Sequence, residues 1–174
     1  VLVIIISMEY DTTSLWAAGT GRWPSYWPEL PEVTDSSRAF NCLVKVSDTS
    51  AEYVALAFSG TFTVDWGDGT VETGQTGTVE HQYTYADEDL TVCEGRGYKT
   101  AVIQVTPEGS DWTTIDTTIK HTTLAGSTRA ETPFLAMAIA GSGLTSVKIY
   151  TNTTTCNCNG NLVVFSLYKH SMTS

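Results

Sequence analysis

The chain has 174 residues with 9 basic against 19 acidic side chains, a formal charge of −10, and only 16% of its residues are charged. That length suffices for one domain that buries roughly 70% of its unfolded surface, so no metal or crosslink is required to complete a core. The acidity argues against nucleic-acid binding through phosphate contacts, and the abundance of threonine, glycine and β-branched residues predicts an all-β protein.

The first seven residues, Val1–Ser7, are an apolar run without a basic flank or a small-residue cleavage pattern, too short to cross a bilayer. They read either as sequence ahead of a start at Met8 or as a β-arm that pairs elsewhere. The longest later apolar run, from Phe134, stops at Gly141, so no membrane insertion is expected.

Most of the tryptophan and proline follows, between Glu9 and Ser37. Pro24, Pro28 and Pro31 remove backbone donors and hold the residues before them extended, which predicts an extended arm over 1–37. Trp16, Trp23, Tyr26 and Trp27 make this arm too aromatic for a free tail. They need a surface to pack on, and two remain open: the chain's own sheet, or a neighbouring subunit or ligand.

From Phe40 the apolar residues fall at every second position, the pattern of half-buried strands. Cys42, Val44 and Val46 share one face; so do Val54, Leu56 and Phe58, then Phe62, Val64 and Trp66, then Val79, His81, Tyr83 and Tyr85, and finally Ala101, Ile103 and Val105. Five strand candidates at this spacing predict a β-sandwich over 38–107. The acidic, glycine-flanked stretch from Ala86 to Gly97 reads as an exposed loop.

Beyond Pro107, a β-rich extension over 108–174 is expected to pack on the sandwich. The threonines around Trp112, Ile115 and Ile119 favour strand over helix there. GLTSVKIYTN and NLVVFSLY read as two strands that could pair as a hairpin, and no segment recurs at a fixed period, so a solenoid is not indicated. Cys42, Cys93, Cys156 and Cys158 show no CxxC pair. Buried thiols are the simplest reading, and a Cys42–Cys93 bridge stays open.

The stretch FTVDWGDGTVE, Phe62–Glu72, carries the densest constellation. Asp68-Gly69 between apolar runs is a strong hairpin signal, and Gly67 permits a positive φ beside it. Asp65 and Asp68 are placed to accept backbone N–H bonds within the turn, with Thr70 in reach. A convergence of Asp65, Asp68, Glu72 and His81 is the one arrangement that could hold Ca²⁺ or work as an acid/base pair. The spacing lacks the dense oxygen ligands of a calcium loop, however, so no metal and no cofactor is expected. The nucleophile elbow, zinc-protease and phosphate-loop motifs are absent, so no enzyme activity is expected.

Asp65, Trp66, Gly67, Asp68, Gly69 and Thr70, followed by His81 and Tyr83 and then by Tyr98, Val102 and Val105, resemble the PKD repeat, an immunoglobulin-like β-sandwich. That resemblance covers about two fifths of the chain and implies a turn-stabilising role for these residues, with His81 packed and hydrogen-bonded. The order of a Trp/Pro-rich start, this sandwich motif and PFLAMAIAGSGLTSVKI is similar to structural proteins of tailed bacteriophages. It implies a non-enzymatic virion component, in the tail or decorating the head, whose partners are copies of itself and other virion proteins. The alternative is a module of a phage adhesin or secreted bacterial surface protein, extracellular or at the cell surface. Its arm aromatics would stack on a host-surface glycan.

Overall fold

The computed structural model describes residues 25–33, 37–48, 52–125, 134–141, 143–149 and 164–168. Val1–Ser7, Trp16, Trp23, Cys156 and Cys158 lie outside the described residues. The strands are β1 (Ala39–Ser47), β2 (Glu52–Asp65), β3 (Val71–Tyr83), β4 (Thr91–Cys93), β5 (Tyr98–Glu108), β6 (Thr114–Asp116), β7 (Phe134–Ala140), β8 (Ser146–Lys148) and β9 (Val164–Tyr168), with one 3-10 turn at Thr122–Leu124. The protein is all-β, and its strands join one mixed sheet that curls into a half-barrel.

The strand order is β8-β6-β2-β5-β1-β7-β9, with β3 on β2 and β4 on β5. Two candidates from the sequence, around Leu56 and Val64, are halves of the single long strand β2. Its register against β3 shifts between Phe58 and Thr61, where Gly60 takes a φ of 82°. This irregularity lets one strand serve two neighbours: Ala57 and Phe58 pair with β6, whereas Thr61–Asp65 pair with β5. Strands after Pro107 therefore join the same sheet as those before it.

The alternating residues converge as expected. Phe40, Cys42, Val44, Leu56, Phe62, Val64, Ile103 and Val105 are fully buried in one core, joined by Trp66, Tyr83, Trp112 and Ile115. A second, smaller core lies on the other face of β1 and β7, where Leu43, Leu135, Ala136, Ala138 and Ala140 meet Trp27, Leu30 and Val33 of the arm. This double burial explains why β7 reads FLAMAIA without alternation: all seven residues are buried.

Two expectations are corrected, and the alternative of a Cys42–Cys93 bridge is closed in favour of buried thiols. The stretch Ala86–Gly97 is not wholly a loop, because β4 pairs with β5 and the segment buries Leu90 and Cys93. GLTSVKIYTN and NLVVFSLY do not form a hairpin. β8 lies parallel to β6 and β9 parallel to β7, since each finds a longer-range apolar neighbour already in the sheet. Cys42 and Cys93 are both free, one in the inner core and the other in the outer one, so the sheet itself stands between them. Burial pushes both thiols up, Cys42 most strongly.

Candidate functional site: the WGDG turn and the docked arm

The turn after β2 is built by its own side chains. Asp65 Oδ1 accepts the Gly67 N–H at 2.9 Å, Asp68 Oδ1 accepts the Thr70 N–H at 3.0 Å, and the Trp66 N–H reaches the Thr70 carbonyl at 3.0 Å. These Asx bonds satisfy backbone donors that no ladder can reach. Gly67 and Gly69 adopt φ of 75° and 88°, conformations that L side chains rarely adopt. At Gly67 space excludes a side chain as well, since a Cβ would collide with the Val102 backbone; at Gly69 a Cβ would meet only the movable Asp89 carboxylate, 2.7 Å away, so there the positive φ is the constraint.

The return strand β3 locks this turn from below. His81 Nε2 lies 2.6 Å from Asp68 Oδ2, and its ring stacks on Trp66 with centroids 4.7 Å apart at 13°. Tyr83 meets His81 edge-on at 4.6 Å and donates its hydroxyl to the Trp66 carbonyl at 2.6 Å. The Trp66 side chain is fully buried, and its indole N–H has no acceptor among the described residues. Sequence spacing thus brings together Asp65, Trp66, Gly67, Asp68, Gly69, Thr70, His81 and Tyr83. Asp89 over Gly69 and Val102 under Gly67 are the neighbours it did not reveal, because only the folded β4–β5 hairpin delivers them.

Electrostatics follow from this geometry. Burial works to raise the Asp68 carboxyl, but the hydrogen bonds from His81 and Thr70 outweigh it and hold the group below its ordinary 3.8. Burial pushes the Tyr83 hydroxyl well above its ordinary value, so it remains a donor to the Trp66 carbonyl. Every polar atom of Asp65, Asp68 and Tyr83 named here is engaged in holding the turn. Among the described residues, no group of three or more His, Cys, Asp or Glu is placed to hold a metal ion. A depression of about 290 Å³ beside Ala57, Asp116 and Lys148 is lined by none of the turn residues.

The described part of the arm lies on its own chain. Trp27 is 8% exposed, packs with Leu30 and Val33 onto the outer face, and donates its indole N–H to the Tyr98 hydroxyl at 2.9 Å. Asn41 Nδ2 donates to the Pro31 carbonyl at 3.1 Å and anchors the segment over β1. Tyr26 meets Trp27 edge-on, and the Arg96 guanidinium lies 4.4 Å from the Tyr26 ring centre. Trp27 therefore offers no open ring face for a glycan or a neighbour. Of the four arm aromatics, Trp16 and Trp23 lie outside the described residues. Tyr98 and Asn41 as docking points were not legible, since a tyrosine and an asparagine in strands carry no pattern of their own.

No protein-family model, curated protein or solved structure matches this chain.

Proposed function

We propose that the chain is a non-enzymatic structural protein of a bacteriophage virion, a tail or fibre component or a head decoration. In this reading a PKD-type, immunoglobulin-like unit over 38–107 is its scaffold. The observation that carries it is the inward bonding of the WGDG turn: Asp65 Oδ1, both Asp68 oxygens, His81 Nε2 and the Tyr83 hydroxyl bind the backbone or one another. Side chains that spend their bonds on their own turn suit a scaffold better than a reaction centre, whose groups must face a substrate. The order of the Trp/Pro-rich arm, the turn motif and the apolar β7 segment supports the phage assignment by resemblance.

The partners are further copies of this chain and neighbouring virion proteins, reached through surfaces outside the turn. Immunogold labelling of purified particles of a phage that encodes the chain tests this directly. Gold at one fixed position on intact particles is expected. Label confined to the particle-free fraction of the lysate would overturn the proposal.

A further inference from the structure

The strands after Glu108 are laid in two tiers. β6 and β8 are parallel with Thr114 opposite Ser146, and β7 and β9 are parallel with Ala136 opposite Val164. Like residues register on like: Val147 on buried Ile115, and Phe165 and Leu167 on buried Met137 and Ile139. The second tier ends in two edges, β8 and β9, that pair with no further strand among the described residues.

The β3 edge is also open but differs in kind. Its register against β2 shifts twice, Gly74 and Gly77 take positive φ, and Glu72 and Glu80 carry charge along it. Bulges and charges are the devices that keep an edge from pairing. β8 is short and carries one lysine, but it has no bulge and no positive-φ glycine. Its register is regular, Ser146–Lys148 contains neither Gly nor Pro, and its one charge, Lys148, is matched by Asp116 at 3.0 Å. On a chain of net charge −10, this edge carries no acidic side chain of its own, so two copies meet here with less repulsion than along β3.

The backbone donors point the right way. The Ser146 N–H is bonded to the Thr113 carbonyl, and the Lys148 carbonyl accepts from Thr117 N. Alternate residues of a strand address opposite edges, so the N–H and C=O of Val147 and Ile149 face the open side. Val147 packs against the core, which turns Ser146 and Lys148 outward.

We propose that the β8 edge is closed by β8 of a second copy of this chain, antiparallel across a two-fold axis through Val147. Such a contact is self-complementary and closes on itself. A register centred on Val147 sets each Lys148 opposite Ser146 of the other copy, whereas a centre at Lys148 would oppose two ammonium groups. The dimer stands on this edge geometry alone and is independent of the virion reading.

Light scattering across a dilution series, with amide exchange read residue by residue, tests it. The mass should rise toward twice that of the monomer with concentration, and the Val147 and Ile149 amides should slow in step. Ser146→Glu, facing Lys148 of the other copy, should tighten the dimer, and Ser146→Lys should loosen it. Each shift is expected to be about 2- to 30-fold in dissociation constant, from two symmetry-related cross-strand pairs. A chain that stays monomeric at every concentration would sink the proposal. So would a dimer whose Val147 and Ile149 amides exchange as fast as in the dilute protein, or two variants shifting in the same direction. If either variant fails to fold, the exchange of the unaltered chain decides alone.

Discussion

The two faces of the sheet hold their tryptophans in opposite ways. On the inner face Trp66 is fully buried, clamped between the turn and His81, and leaves its indole N–H without an acceptor among the described residues. On the outer face Trp27 keeps 8% of its surface exposed and gives its N–H to Tyr98. The inner residue is fixed by everything around it, and its lost hydrogen bond is outweighed by burial and stacking. The outer one holds a strap onto a sheet that already stands. A network in which each group constrains the next should fail globally, whereas a docked strap should fail locally.

The sharpest way to break this comparison is Gly67→Ala. It combines a positive φ with a collision against the Val102 backbone, so a loss of about 3–5 kcal/mol in urea unfolding is expected. A loss under 1 kcal/mol, on the order of a surface substitution, would show that the turn yields easily and that the network is not rigid. Next is Trp27→Ala, expected to cost about 3 kcal/mol from lost burial and the Tyr98 bond. Its signature separates it from the turn. Amides of Glu29, Leu30, Glu32 and Val33 should speed up in exchange first, while those of the β2–β3 hairpin stay protected. Equal loss across both regions would erase the distinction between strap and scaffold.

Tyr83→Phe leaves the buried Trp66 carbonyl without the hydroxyl that satisfies it and should cost about 1–2 kcal/mol, read as a lower denaturant midpoint with unchanged slope. A smaller effect comes from acid. The Asp68 carboxyl sits below its ordinary 3.8 in the folded protein, so folding favours its ionised form. Its contribution is complete above pH 3.8 and is lost as the pH falls through the depressed folded value. Asp68→Asn should therefore flatten the acid limb of the stability curve below that pH, and an unchanged limb would remove Asp68 from the clamp. The smallest change is expected for Trp66→Phe. Removing an unsatisfied buried donor offsets part of the lost packing, so its cost should fall below that of Trp27→Phe, which breaks a bond that is made.

How much of this was legible in the chain can be traced residue by residue. The period-two placement of Val54, Leu56, Phe58, Phe62, Val64 and Trp66 named the inner face correctly, because side-chain direction in a strand is set locally by the pleat. It did not show that two apparent strands were one, because the register shift beside Gly60 falls inside β2 and the alternation on either side of it reads as a strand of its own. The turn was legible for the same local reason: Asx bonds and positive-φ glycines act over two or three residues. The docking of Trp27 on Tyr98 was not, because its partner lies 71 residues away.

The sequence by itself determined the β class, the inner core and the WGDG turn, all products of short-range geometry. Tertiary structure alone decided that the strands form one curled sheet, that Trp27 folds back on its own chain, and that β8 and β9 lie parallel on β6 and β7 instead of pairing with each other. Those outcomes depend on which distant apolar edges are available once the sheet exists, and period-two alternation is the same for a parallel and an antiparallel neighbour.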